Sequence, residues 1–207
     1  MWDLPTCTCV ATLKGHNDCV YALVCSGNKL YSASGDGLIK VWDMISHSFL
    51  ETLVGHNGSV NVLACSHNVL YSGSNDMSIK KWDLLTSSCV VTLNGHTDRV
   101  LSLVYHDSRL FSGSRDGSIK VWDMSSHTCT ATVLAHASSV FALVREGARL
   151  YSGSDDSLIK IWDVSSLECI ATLQSHTGSV YALVCCDNVL YSGSISGDRS
   201  IKVWESK

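Results

Sequence analysis

Leu30-Tyr31-Ser32-Ala33-Ser34, then Gly35-Asp36-Gly37, then Ile39-Lys40-Val41-Trp42-Asp43 are two short runs of apolar and aromatic residues mixed with polar ones about a tight turn. Runs this short, bounded by Gly, Asp and Ser, read as antiparallel strands. Gly15-His16 and the run Val20 to Cys25 precede them, and a further run follows each Trp-Asp, as in Cys89-Val90-Val91-Thr92-Leu93. Each unit therefore spells four strands. Several runs are apolar on both faces, so each small sheet must be sandwiched between two others rather than face water.

The unit recurs. Tryptophan stands at Trp2, Trp42, Trp82, Trp122, Trp162 and Trp204, which is the whole tryptophan complement. The spacing is 40 residues except for the last interval, which is 42. The extra pair falls in Ser194-Ile195-Ser196-Gly197-Asp198, a turn where insertion costs little chain entropy. A fixed period of this kind marks stacked repeats. The units run at about 15–54, 55–94, 95–134, 135–174 and 175–207, with an N-terminal strand at 7–14, so one repeat domain covers 1–207.

With 45% hydrophobic and 16% charged residues, the chain is too apolar for disorder. Fifteen Lys+Arg against 19 Asp+Glu leave a net charge of -4, with no electrostatic footprint for nucleic acid or an anionic membrane. No apolar run reaches the ~18 residues of a membrane helix. Met1-Trp2-Asp3-Leu4-Pro5 has neither the basic start nor the apolar core of a secretion signal. These features predict a soluble chain of the cytoplasm, with the nucleus as the alternative.

Gly-His, about 26 residues and then Trp-Asp, at a 40-residue period over essentially the whole chain, resembles the WD-repeat (WD40) family of β-propellers. The resemblance implies an all-β propeller of five four-stranded blades. Departures are small: Ala135-His136 and Ser175-His176 stand for Gly-His, and Trp204-Glu205 for Trp-Asp.

A polar quartet returns in every unit: His16, Ser32, Asp36, Trp42; His56, Ser72, Asp76, Trp82; His96, Ser112, Asp116, Trp122; His136, Ser152, Asp156, Trp162; His176, Ser192, Asp198, Trp204. Ser, His and Asp together invite a hydrolase reading. An active site, however, is one constellation with one water-excluded cleft, not five equal copies around a ring. The quartet reads instead as a structural hydrogen-bond chain, like that of WD repeats, and no catalytic residue is assigned. Ten cysteines are many for 207 residues. Repeat-related positions such as Cys25, Cys65 and Cys185 fall on different blades and read as small buried thiols too far apart to bridge or chelate. No metal or cofactor is expected.

The chain opens on the tail of a third strand and ends after one. The run from Cys7 to Leu13 is therefore expected to complete the C-terminal sheet and close the ring, which removes open sheet edges. Trp2-Asp3 and Trp204-Glu205 then compete for one place, so a fragment of a longer WD array stays open as the alternative.

The family resemblance implies a protein or peptide ligand over the mouth of the central channel. Three positions per unit face it. Three residues after the His stand Cys19, Ser59, Arg99, Ser139 and Ser179; five after it, Tyr21, Asn61, Leu101, Phe141 and Tyr181. Before the Asp stand Gly35, Asn75, Arg115, Asp155 and Gly197. On closure, Phe141, Tyr181 and Tyr21 would form one aromatic arc opposite Arg99 and Arg115, the residue types enriched at binding hot spots. The expected partner surface is Tyr21, Asn61, Asn75, Arg99, Leu101, Arg115, Phe141, Asp155 and Tyr181. The function this implies is a non-enzymatic scaffold for multiprotein assembly. A second reading is substrate recognition within a ubiquitin ligase, suggested by short turns such as Cys25-Ser26-Gly27-Asn28-Lys29-Leu30.

Overall fold

The computed structural model describes residues 2–3, 7–174 and 176–205, all of them strand, turn or loop. An N-terminal pair, β1 (Trp2–Asp3) and β2 (Thr8–Cys9), precedes five sheets. Blade one is β3 (Val20–Ser26), β4 (Lys29–Ser34), β5 (Ile39–Asp43) and β6 (Phe49–Leu53); blade two is β7 (Val60–Ser66), β8 (Val69–Ser74), β9 (Ile79–Asp83) and β10 (Ser88–Leu93). Blade three is β11 (Val100–His106), β12 (Arg109–Ser114), β13 (Ser118–Asp123) and β14 (Thr128–Leu134); blade four is β15 (Val140–Glu146), β16 (Arg149–Ser154), β17 (Leu158–Asp163) and β18 (Cys169–Gln174). Blade five has β19 (Val180–Cys186), β20 (Val189–Ser194) and β21 (Ile201–Glu205).

Within each blade the strands pair antiparallel in sequence order, as short connections dictate. In blades one to four the Asp of Trp-Asp holds the next turn: Asp83 Oδ1 accepts the N–H groups of Leu85 and Thr86 at 2.8 and 3.1 Å, and Asp123 Oδ1 those of Ser125 and Ser126 at 2.9 and 2.7 Å, with Asp43 and Asp163 alike. A short side chain that can hydrogen-bond backbone two and three residues on is what an Asx turn requires.

Blades pack face to face, with the first strands β3, β7, β11, β15 and β19 touching in succession about the axis. The four junctions so formed are four apolar clusters, such as Phe111, Ile119, Val121 and Val140 between blades three and four. Glycine makes the close approach possible. A Cβ on Gly113 would lie 2.7 Å from Val140 Cγ1, and one on Gly153 would lie 2.7 Å from Val180 Cγ1. Val60, Val100, Val140 and Val180 are accordingly 0% exposed.

Among the described residues the expected closing strand is not formed. β21 pairs with β20 alone, and β2 pairs with β1, matching Trp2 to Cys9 just as Trp82 matches Cys89 and Trp122 matches Cys129. The N-terminal hairpin thus keeps the register of the outer two strands of the four four-stranded blades. Pairing across a few residues carries a far smaller loop-closure cost than pairing the two chain ends. The fifth sheet consequently has three strands among the described residues, and Val20 is 50%, Ile201 76% and Val203 56% exposed.

Val100→Ala should therefore destabilise the fold by about 2 kcal/mol, whereas the repeat-equivalent Val20→Ala should change stability by less than ~0.5 kcal/mol. Urea denaturation of the two variants checks this.

Candidate functional site

In all five blades the third-strand tryptophan, second-strand serine, histidine before the first strand and turn aspartate form one chain of contacts. In blade two Trp82 Nε1 donates to Ser72 Oγ at 2.8 Å, His56 Nε2 lies 2.7 Å from that oxygen, and His56 Nδ1 lies 2.7 Å from Asp76 Oδ2. Blade one repeats this through Trp42, Ser32, His16 and Asp36 at 2.8, 2.7 and 2.9 Å. Blade three uses Trp122, Ser112, His96 and Asp116 at 2.9, 2.7 and 2.8 Å. Blade four uses Trp162, Ser152, His136 and Asp156 at 2.9, 2.7 and 2.9 Å. Blade five uses Trp204, Ser192, His176 and Asp198, each link 2.8 Å.

An indole can only donate, so Ser Oγ accepts from it and gives its own proton to His Nε2, which leaves the imidazole proton on Nδ1 for the carboxylate. The serine oxygen is thus engaged on both sides. Ser72, Ser112 and Ser152 are also 0% exposed, so no substrate can reach them as nucleophiles. The chain ties the loop before the first strand to the second and third strands.

Burial pushes His56, His96 and His136 below the usual imidazole value, against the pull of their aspartates. For Asp76 burial acts upward. Hydrogen bonds from Ser78 Oγ, Asn57 N and His56 outweigh it and hold the carboxyl at about 2, and the same balance holds Asp116 at about 2. In blade five the inserted turn alters the arrangement. Asp36, Asp76, Asp116 and Asp156 each accept a backbone N–H two residues on through Oδ1, whereas Oδ1 of Asp198 is buried with no hydrogen-bond partner among the described residues.

The channel mouth is built by a second repeated device. Each first strand carries a β-bulge at its start, where the register skips from Val60 to Val62, Val100 to Ser102, Val140 to Ala142 and likewise in the other blades. The skipped residues are Tyr21, Asn61, Leu101, Phe141 and Tyr181. A bulge frees a residue from the ladder and re-aims its side chain. All five line one cavity of about 700 Å³, together with Asn75, Arg99, Arg115 and Asp155. Phe141 and Tyr181 meet with ring centroids 4.8 Å apart, and Tyr21 lines the same cavity although among the described residues no apolar core joins blade five to blade one.

One mouth position differs from the expected one. Asn75 N bonds Ser59 O, Arg115 N bonds Arg99 O and Asp155 N bonds Ser139 O; in blade five Ile195 N, not Gly197, bonds Ser179 O at 3.3 Å. The insertion moves the equivalent position to Ile195, which is 59% exposed. Counting back from the aspartate could not reveal this; counting forward from the second strand does.

The cysteines also depart from expectation, since none is buried. Cys89, Cys129 and Cys169 sit on outer strands with Sγ 3.5, 3.3 and 3.4 Å from the carbonyl two residues on. Cys25 and Cys65 are not far apart either: Cys65 Sγ lies 3.3 Å from Cys25 O, because equivalent residues of adjacent first strands are neighbours about the axis. Burial pushes the Cys185 thiol up to about 11 and raises Cys65, which keeps both protonated. Among the described residues no three His, Cys, Asp or Glu side chains converge to hold a metal.

Trp122→Phe keeps the ring but removes the donor, and should lower stability by about 1–3 kcal/mol. Trp122→Ala should cost about 3–5 kcal/mol, and calorimetry of the two separates hydrogen bonding from packing. The pH dependence has a defined sign. Because the folded state depresses His56, His96 and His136, the unfolded chain binds more protons, so their contribution is complete above pH 6.5 and is lost as pH falls below it. Asp76 and Asp116 add a second loss between pH 3.8 and about 2. The melting temperature should be level at pH 7–8, decline below ~6.5 and decline again below ~4.

The comparisons with known proteins agree with this geometry. Among solved structures, the chain is similar to the computationally designed Ika8 protein, at 32% identity and a TM-score of 0.86, covering 99% of this chain and 64% of that one. It is also similar to a chain in the crystal structure of a mitotic checkpoint complex, at 24% identity and a TM-score of 0.91, covering 100% of this chain and 67% of that one; at this identity the likeness shows the fold alone. The chain therefore spans about two thirds of the length of these structures. No curated protein matches it. The model for the WD domain, G-beta repeat, matches residues 7–43, 47–83, 87–123, 127–163 and 167–205. Those spans hold the tryptophan, serine, histidine and aspartate of each hydrogen-bond chain, and the protein belongs to the WD40 family.

Proposed function

We propose that this chain is a non-catalytic scaffold that binds a protein or peptide over the channel mouth and serves in assembly of a multiprotein complex. The observation that carries this reading is the bulge. Five blades each release one side chain from the ladder, and all five converge on one cavity of about 700 Å³. Pockets of this size that mix aromatic and polar groups suit a short peptide segment. WD40 propellers generally bind proteins, and a structural neighbour sits in a multiprotein complex. The Ser-His-Asp groups that could have carried chemistry are consumed inside the blades.

The test is affinity capture with wild type, an Arg99→Ala/Arg115→Ala/Tyr181→Ala variant, and Leu85→Ser. Leu85 is 77% exposed in the turn between third and fourth strands, at the other end of the blades. Partners should be lost in the triple variant by tenfold or more and kept in Leu85→Ser. Equal loss in both would remove the mouth as the binding face.

A further inference from the structure

The mouth is not chemically uniform, and its asymmetry narrows the ligand. Arg99 and Arg115 leave from adjacent points of blade three, since Arg115 N donates to Arg99 O at 2.9 Å. Both side chains are exposed. Asp98 uses Oδ1 to accept the Arg99 backbone N–H at 2.7 Å, and its Oδ2 forms a long ion pair with Arg115 Nε at 3.9 Å, beyond hydrogen-bond reach. Among the described residues neither guanidinium has a side-chain hydrogen bond, so two planar donor forks face the cavity unspent. A guanidinium fork matches a carboxylate or a phosphoryl group bidentately.

Two other polar side chains of the rim are already engaged. Asp155 accepts from Ser138 Oγ at 3.1 Å and Ser179 Oγ at 2.5 Å. Asn61 spends its amide N–H groups on Asn75 Oδ1 and Val100 O, each at 2.9 Å. Beyond Asp155 lies the aromatic side, with Phe141 packed on Tyr181 and with Tyr21 and Tyr181 54% and 51% exposed. The cavity therefore offers one cationic place and one apolar place on neighbouring blades, with hydroxyl-bound and amide-bound groups elsewhere.

We propose that the mouth selects a peptide segment in which a single anionic side chain, a carboxylate or a phosphoryl group, stands close in sequence to an apolar side chain. This rests on the mouth being the binding face. A basic peptide would set like charge against two arginines whose donors are unspent. A nucleic acid would bring a row of phosphates to a rim that also carries Asp98 and Asp155, on a chain of net charge -4. One acid fits the two forks; a polyanion does not.

The experiment immobilises the chain and passes degenerate 12-residue peptide pools, each with one fixed central residue: Glu, phosphoserine, Gln or Lys. Wild type should retain the Glu or the phosphoserine pool at least tenfold over the Gln and Lys pools, with Leu, Phe or Tyr enriched near the centre; comparison of the two anionic pools distinguishes carboxylate from phosphoryl recognition. Arg99→Gln/Arg115→Gln should bring the anionic pools down to the Gln level while the apolar enrichment persists. Phe141→Ala/Tyr181→Ala should erase the apolar enrichment. Retention of the Lys or Gln pool at the anionic level, retention of no pool, or an anionic preference that survives loss of both arginines overturns the inference. If pools are retained without charge preference but lost in Phe141→Ala/Tyr181→Ala, the mouth still binds and only the ligand class is wrong. Retention untouched by any of the four substitutions removes both readings. Circular dichroism of each variant confirms that the fold is intact.

Discussion

A serine hydroxyl with two obligations holds each blade together. It accepts from an indole that can do nothing but donate, and it donates to an imidazole whose other nitrogen is claimed by a carboxylate. Because the four groups lie on different strands and turns of one blade, each link fixes a distance between elements that sequence neighbours alone would leave loose. The blade is too small to bury much apolar surface by itself. Giving the indole N–H a partner inside the blade is what lets the tryptophan serve as core.

Between blades a different constraint applies, one of shape. Val100, Val140 and Val180, each at the start of a first strand, enter the space left by a glycine on the preceding blade, and where the preceding blade carries Ala33 the equivalent Val60 is still fully buried. Stacking therefore depends on a missing side chain as much as on a present one. At Gly193 no valine of a following blade arrives, and a Cβ placed there would have as its nearest neighbour Ala182 Cβ of the same sheet, at 3.8 Å. Among the described residues both ends of the stack thus carry junction surfaces without a junction, which accounts for the exposure of Val20, Ile201 and Val203.

Much of this was legible from residue order alone. The tryptophan interval predicted the number of units, the Gly/Asp/Ser boundaries predicted the strands, and the recurrence of His, Ser, Asp and Trp predicted groups that share one blade. The closing strand was misread because a strand's sequence does not say which edge it meets; Trp2 opposite Cys9 is a local pairing that wins over a remote one. The cysteines were misread because residue type does not report burial: Cys89, Cys129 and Cys169 on fourth strands and Cys25 on the first strand of an end blade are all exposed. The bulge left no mark in the apolar pattern, since skipping one residue changes pairing without changing residue type. Ile195 was hidden by the insertion that displaced it.

Because Tyr21, Asn61, Leu101, Phe141 and Tyr181 stand outside the register of their sheets, their identities are decoupled from the hydrogen bonding that specifies the blades. Tyrosine, asparagine, leucine and phenylalanine already occupy the same backbone geometry within one chain. Natural drift or deliberate redesign can therefore rewrite what this surface recognises one letter at a time, with the scaffold beneath as an unchanged page.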